Sequence, residues 1–179
     1  MSLGVHFALD SADVTTLVAA PDDDSRIKLL EEIEERYFST PEYVAETDKA
    51  WDALHRSLAD GQLSYDSGLY PLSYVVLGGE QLVRDRETGY TMSLKTPPEV
   101  VQCASALDEL TVDEFSTRYY SIPPDEYGEP LSDEGLTYTW DALDAVRELF
   151  RVAASEGRYA LPPPREQGLI CLEWDQAEA

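Results

Sequence analysis

Residues 47–58 read TDKAWDALHRSL, a short amphipathic pattern that places part of this chain in a hydrophobic core. Four residues recur at intervals of three and four positions, the spacing of one helix face: Trp51, Leu54, His55 and Leu58. We predict a helix that begins at Thr47 or Asp48 and ends before Gly61. Burial of the tryptophan and the two leucines contributes about 1.5–3 kcal/mol each. This face is therefore expected to point inward and to carry His55 with it.

A second stretch, residues 71–79, reads PLSYVVLGG and follows a loop that contains Ser, Tyr and Gly. Together with residues 48–55 it resembles the signature of the YfbM-like family of small bacterial proteins. The resemblance starts at residues 4–10, extends to the helix around Trp140, and is weakest from residue 162 onward. The molecular function of that family is unassigned, so the resemblance implies a fold and no reaction, cofactor or catalytic residue.

Length and composition favour one globular domain. The chain has 179 residues, of which 43% are apolar, enough for one sizeable core. We expect the domain to span residues 4–174, with residues 1–3 as a cloning remnant and residues 175–179 as a frayed tail. No run approaches the roughly 18 apolar residues that a membrane span needs, and the N-terminus lacks a basic leader. These features predict a soluble, cytoplasmic protein.

Charge is the second strong signal in the composition. The chain carries 36 acidic and 13 basic residues, a formal net charge of −23. Such a surface repels phosphates, so direct binding to nucleic acid or to an anionic membrane is disfavoured. The acidity has two explanations at this point: it serves solubility or adaptation to salt, or it steers a basic protein partner toward the domain.

Local patterns predict an α+β fold, rich in helices, with one small sheet. Two capping boxes, at Thr96–Glu99 and Thr111–Glu114, mark helix starts, and Asp10 or Ser11 caps an earlier helix. Residues 71–77 form either a short helix or a buried strand, and the following Gly-Gly pair permits close backbone approach. The predicted strands are 5–9, 90–94 and 169–172. The predicted helices are 11–20, 26–38, 97–110, 112–120 and a last one that begins at Asp133 or Thr137 and ends at Glu156, and 122–131 is the longest predicted loop.

His55 is the better of the two histidines as a candidate acid or base. Its own helix supplies Asp48 and Asp52, and a carboxylate beside an imidazole fixes its tautomer and favours its charged form. That arrangement suits the general base of a catalytic site. It equally suits a buried histidine that is satisfied by one hydrogen bond, and both interpretations stay open here.

The sequence contains no motif that is diagnostic of a catalytic nucleophile or of a metal site. Ser57, Ser73 and Cys103 lack a GxSxG setting and are expected to be structural. Cys103 and Cys171 are expected to be unpaired, buried small residues. Because the chain has neither HExxH nor paired Cys and His motifs, we expect no metal and no cofactor.

Two sets of residues are candidates for binding. Lys49 and Arg56 are predicted on the exposed side of the signature helix, where they either pair with carboxylates or form a small anion-binding spot. Tyrosine is enriched at protein interfaces. Four tyrosines near the Pro-rich loop therefore form the interface candidate: Tyr119, Tyr120, Tyr127 and Tyr138.

Two functions are compatible with these observations. The first is a non-catalytic binding protein, of an adaptor or immunity type, whose acidic face engages a basic protein partner. The second is a small-molecule hydrolase that uses His55 as its base with Asp48 or Asp52. We prefer the first because the charge is large and no recognisable catalytic constellation accompanies it.

Overall fold

The computed structural model describes residues 4–84 and 91–162, which form two small antiparallel sheets and seven helices. The strands are β1 (Gly4–Leu9), β2 (Val44–Asp48), β3 (Glu80–Arg84), β4 (Thr91–Leu94) and β5 (Tyr159–Leu161). The helices are α1 (Ser11–Ala19), α2 (Asp23–Tyr37), α3 (Trp51–Leu58), α4 (Pro97–Glu109), α5 (Val112–Tyr120), α6 (Pro124–Tyr127) and α7 (Asp133–Glu156). The fold is α+β and helix-rich, as the sequence predicts.

β1 is the central strand of the first sheet, whose order is β2-β1-β5. Phe7 lies opposite Val44 on one side and Leu161 on the other, both in antiparallel register. The N-terminal strand is therefore confirmed. The strand that was expected to pair with it, 169–172, lies outside the described residues. The described neighbours of β1 are β2 and β5.

The signature helix is shorter than predicted, because Thr47 and Asp48 belong to β2 and α3 starts at Trp51. The Thr47 hydroxyl donates a hydrogen bond to the Gly4 carbonyl at 3.0 Å, which fixes the end of β2 against β1. Asp48 has a φ of 44°, in the left-handed region, and this residue turns the chain out of the strand toward α3. The predicted helix start is wrong for this reason.

The second sheet is the β3–β4 pair. It confirms the strand predicted before the Thr96 capping box, apart from Tyr90, which lies outside the described residues. Lys95 and Ala160 connect the two sheets through reciprocal backbone hydrogen bonds of 2.9 and 3.1 Å. The predicted single sheet is thus two sheets joined at one point, because β4 pairs with β3 along its length rather than with β1.

For the segment 71–77 the helical alternative is confirmed only in part, and the strand alternative is wrong. A 3₁₀ turn covers Leu72–Tyr74, and the next three residues are buried without strand pairing. Gly79 has a φ of 114°, and a Cβ there would lie 2.7 Å from the Leu94 carbonyl oxygen, so the close backbone approach is confirmed. α6 lies within the region 122–131, which was predicted to be loop.

Two hydrophobic clusters form most of the core. The larger packs α3, α4 and α7 around residues 75–77, and the second packs α1 and α2 against β1 and the β3–β4 hairpin. Both predicted capping boxes are present, and Gly157 ends α7 in the left-handed conformation. Within the described residues, every helix is too short or too polar to cross a bilayer.

Candidate functional site

His55 is fully buried on α3, as the helical spacing predicts. Its Nε2 atom lies 2.9 Å from the Ser64 carbonyl oxygen and 3.3 Å from the Ser67 hydroxyl. A carbonyl oxygen only accepts hydrogen bonds, so Nε2 carries the proton. The same Ser67 hydroxyl contacts the Gln62 carbonyl at 3.2 Å. These contacts hold the loop that follows α3 against the helix, which is a structural task.

The two carboxylates proposed as partners of His55 are bound to other side chains. Asp52 accepts a hydrogen bond from Arg56 Nε at 2.5 Å. Asp48, at the end of β2, accepts one from the Tyr138 hydroxyl at 2.7 Å. Both carboxylates of the hypothesised hydrolase site therefore already serve structural contacts, Asp52 with Arg56 and Asp48 with Tyr138.

Arg56 is buried, which corrects its predicted position on the exposed side of the helix. The residue is 5% exposed, and besides Asp52 it donates to the carbonyls of Gly61 at 3.0 Å and Glu126 at 3.1 Å. The guanidinium also lies 5.9 Å from the centroid of the Tyr127 ring. The helix face was misjudged because α6 covers the side that was expected to meet water. Arg56 ties α3 to α6 and cannot form a surface anion site with Lys49, which is exposed.

The four candidate tyrosines fall into two groups. Tyr119 is buried, with 1% of its surface exposed, and Tyr127 is half-buried beside Arg56, so Tyr119 in particular is not available to a partner. Tyr120 and Tyr138 are each 44% exposed. The interface prediction is therefore wrong for Tyr119, whose ring packs in a small cluster with Ala53 and Ile122.

The two exposed tyrosines each donate a hydrogen bond to a carboxylate. Tyr120 donates to Asp133, and this bond raises the pKa of the Tyr120 hydroxyl. Tyr138 donates to Asp48 and accepts a bond from the backbone N–H of Lys49 at 3.3 Å. Partial burial and the Asp48 carboxylate raise the pKa of Tyr138. Both hydroxyls stay protonated, and both rings are held at the surface in a defined orientation.

These tyrosines lie on a strongly negative part of the molecule. Between residues 111 and 141, α5, α6 and the start of α7 carry eight exposed carboxylates and one cation, Arg118. The cluster around Tyr119 and the Tyr120–Asp133 hydrogen bond hold these helices together. We call this region the acidic surface. It consists of Asp113, Glu114, Asp125, Glu126, Glu129, Asp133, Glu134 and Asp141, with Tyr120 and Tyr138.

The candidate nucleophiles have structural roles. The Ser57 hydroxyl donates to the Ala53 carbonyl of its own helix at 2.8 Å, and Ser73 is buried. The Cys103 thiol contacts the Pro71 carbonyl oxygen at 3.3 Å, and burial raises its pKa to about 12. A thiol with that pKa is not a thiolate at neutral pH. Cys171 lies outside the described residues.

Within residues 4–84 and 91–162, no three His, Cys, Asp or Glu side chains come together in a way that could hold a metal ion.

The burial of two basic residues was not predicted from the sequence. Lys95 is fully buried, and its ammonium nitrogen contacts the Ser93 hydroxyl at 2.9 Å and the Val76 carbonyl at 3.3 Å. His6, on β1, is also fully buried. Strand alternation puts Lys95 in phase with Ser93, on the side of β4 expected to face water. One sequence feature could have predicted the burial of Lys95. It lies between the end of a strand and a capped helix, where neighbouring elements enclose it.

Comparisons with known proteins bear on the fold. Residues 1–162 match the family model described as a domain of unknown function, DUF1877. The crystal structure of YfbM from Escherichia coli, itself described as a protein of unknown function, is similar with a TM-score of 0.63 and 19% identity. The similarity covers 92% of this chain and 100% of that one, and at this identity it shows the fold alone. No curated protein matches the chain.

Proposed function

Because the chain belongs to the DUF1877 family, described only as a domain of unknown function, we propose its role from its surface. We propose a non-catalytic, cytoplasmic binding protein that docks a basic protein through the acidic surface. The observation that carries this proposal is the ratio of eight exposed carboxylates to one cation across three contiguous elements. Two half-exposed tyrosines lie on the same surface.

Electrostatics selects the class of partner. A concentrated negative potential attracts Lys- and Arg-rich proteins and raises their association rate, and salt weakens this attraction over a Debye length of about 8 Å at physiological ionic strength. The same potential repels the phosphates of nucleic acids and anionic lipids. The expected complex is therefore with a basic protein and is sensitive to salt.

Tyr120 and Tyr138 supply the apolar part of the proposed contact. Their rings are held in place by hydrogen bonds to Asp133 and Asp48, so little conformational entropy is lost when a partner covers them. An arginine of the partner can stack on such a ring while it pairs with a neighbouring carboxylate. The acidic surface therefore combines charge with oriented aromatic anchors.

The contacts of His55 favour this proposal over a hydrolase. The imidazole binds the Ser64 carbonyl and the Ser67 hydroxyl, and Asp52 binds Arg56. Each of these groups already has a structural partner. The two contacts of His55 Nε2, with the Ser64 carbonyl and the Ser67 hydroxyl, hold a loop and serve the fold.

A pair of charge-matched variants tests the proposal. The first, Asp125→Asn, Glu129→Gln and Glu134→Gln, removes three charges from the acidic surface. The control, Glu32→Gln, Glu35→Gln and Glu42→Gln, removes three exposed charges from α2 and the turn after it. The chosen carboxylates have no side-chain hydrogen bond within the described structure, so both variants are expected to fold.

Affinity capture from host lysate at low and high salt is the measurement. Wild type and the control should retain the same basic protein at low salt, and the acidic-surface variant should lose it. Purification of that protein and titration against all three chains should then give the same order of affinities. Two results would overturn the proposal: recovery of no salt-sensitive basic partner, or an equal loss of binding in both variants.

A further inference from the structure

The longest helix, α7, exposes one face along most of its length. It has 24 residues, and at a rise of about 1.5 Å per residue it is about 36 Å long. Its opposite face packs against α4 and the first sheet. On the outer face, exposed residues recur at intervals of four and three positions, and we call them the α7 stripe: Glu134, Tyr138, Asp141, Ala145 and Glu148.

Three carboxylates follow one another along the α7 stripe at a spacing of seven residues: Glu134, Asp141 and Glu148. Seven residues are about two helical turns, or about 10.5 Å along the axis. They rotate the attachment point around the helix by only about 20°. The three carboxylates are therefore attached along a nearly straight line, and Tyr138 and the small Ala145 lie at the positions between them.

The carboxylates of the α7 stripe are available to a partner. Glu134 and Asp141 have no hydrogen bond or ion pair with another side chain among the described residues. Glu148 lies 3.5 Å from Arg151, and 68% of its side chain is exposed, so this surface pair is weak. Asp144, on the neighbouring row, differs because it is already paired with an arginine of its own helix. The uncompensated charge therefore lies on the α7 stripe and not evenly around the helix.

The spacing of these carboxylates distinguishes a helical partner from an extended one. On a second helix, cations seven residues apart repeat on one face at the same spacing of about 10.5 Å. On a β-strand, side chains of one face repeat at about 6.6–6.8 Å, which does not match the line of carboxylates. A helix laid along α7 also brings its small or apolar side chains against Ala145 and the ring of Tyr138, as ridges pack into grooves between helices.

We propose that the basic partner docks as an α-helix along the α7 stripe, with Lys or Arg side chains seven residues apart opposite Glu134, Asp141 and Glu148. This inference rests on the proposed function, because Glu134, Tyr138 and Asp141 belong to the acidic surface, and it adds the conformation and register of the bound segment. Charge complementarity selects this occupant over a second copy of the chain. At a formal net charge of −23, two copies would place like charges opposite one another.

Three synthetic peptides of identical composition test the helical register against the full-length chain. All are alanine-rich and contain three arginines and one proline. The first has its arginines seven residues apart and proline at its start, and the second differs only in spacing the arginines five residues apart, which spreads them around the helix. The third keeps the spacing of seven but has proline at its centre, where it breaks the helix. Fluorescence anisotropy at low salt should show the first peptide binding about tenfold more tightly than the others, because it alone places all three arginines opposite the carboxylates.

A matched pair of variants locates the contact on α7. Asp141→Asn should weaken binding of the first peptide about fivefold or more, whereas Asp113→Asn, which removes an exposed charge of the acidic surface from α5, should leave it unchanged. Equal affinities of the three peptides, or equal effects of the two substitutions, would overturn the helical register and leave the proposed function standing. If no peptide binds while lysate capture still recovers a salt-sensitive basic protein, the register alone is overturned. Failure of both measurements would overturn the proposed function as well.

Discussion

Arg56 and Lys95 are both buried cations, but the protein surrounds them in opposite ways. Arg56 meets Asp52 at 2.5 Å, two backbone carbonyls and the ring of Tyr127. Lys95 meets one hydroxyl and one carbonyl, both neutral. A guanidinium stays charged in proteins, whereas a desolvated lysine releases its proton. The comparison indicates that Arg56 is kept as a charged structural anchor, whereas burial disfavours the charged form of Lys95.

The largest expected loss of stability follows removal of the hydrogen-bond network of Arg56. Arg56→Met should lower the free energy of unfolding by about 3 kcal/mol, because Asp52 and the Glu126 and Gly61 carbonyls lose their donor. Denaturant unfolding at neutral pH measures this. Arg151→Met is the control, since Arg151 pairs with Asp108 at an exposed site, where such pairs contribute under about 1 kcal/mol. Equal effects of the two substitutions would show that the Arg56 network is not a structural anchor.

The next largest effect is the dependence of folding stability on pH that buried His6 produces. His6 binds a proton near pH 6.5 when unfolded and only near pH 3 when folded, because burial and then Lys95 oppose its charge. The unfolded state therefore gains protons first, and stability falls as pH drops from 6.5 toward 3. Relative to His6→Leu, wild type should lose on the order of 2–3 kcal/mol by about pH 4. Parallel stability curves for the two proteins would contradict a buried neutral His6.

The smallest expected change in stability follows removal of the Lys95 amine. Lys95→Met should leave the protein equally stable or up to about 2 kcal/mol more stable at pH 7, since a buried amine with no ion pair among the described residues is replaced by an apolar side chain. The folded pKa of Lys95 is lowered, so its destabilising contribution is largest at and below neutral pH and disappears as pH approaches the unfolded value near 10.4. Any gain should shrink over that range. A loss above about 1 kcal/mol would place Lys95 with Arg56 as a structural cation.

The features that the sequence predicts well depend on neighbours in the chain. The Asp10 cap, the two capping boxes and the glycine stop after α7 involve groups a few residues apart, so their residue types are enough to identify them. The inward face of α3 was predicted in the same way, from a spacing of three and four residues. Local chemistry also explains why His55 was expected to be buried.

The features that escaped prediction depend on distant pairing. Thr47 resembles a helix cap in isolation, but its hydroxyl binds Gly4, 43 residues away. Arg56 was assigned to the solvent side because a single helix pattern does not reveal that α6 covers that side. Lys95 was missed because strand alternation describes a sheet with one wet face, whereas the segment 76–79 covers both Ser93 and Lys95.

Direct titration of the lysine side chains is the most direct test of the contrast between the two cations. With three lysines in the chain, 13C-labelled lysine gives few Cε resonances, and the Lys95→Met variant identifies the resonance that belongs to Lys95. We predict that this resonance titrates well below the usual lysine pKa of about 10.4 while the protein stays folded. A Lys95 resonance that titrates at the usual value would contradict the contrast between a charged Arg56 and a Lys95 whose charged form is disfavoured by burial.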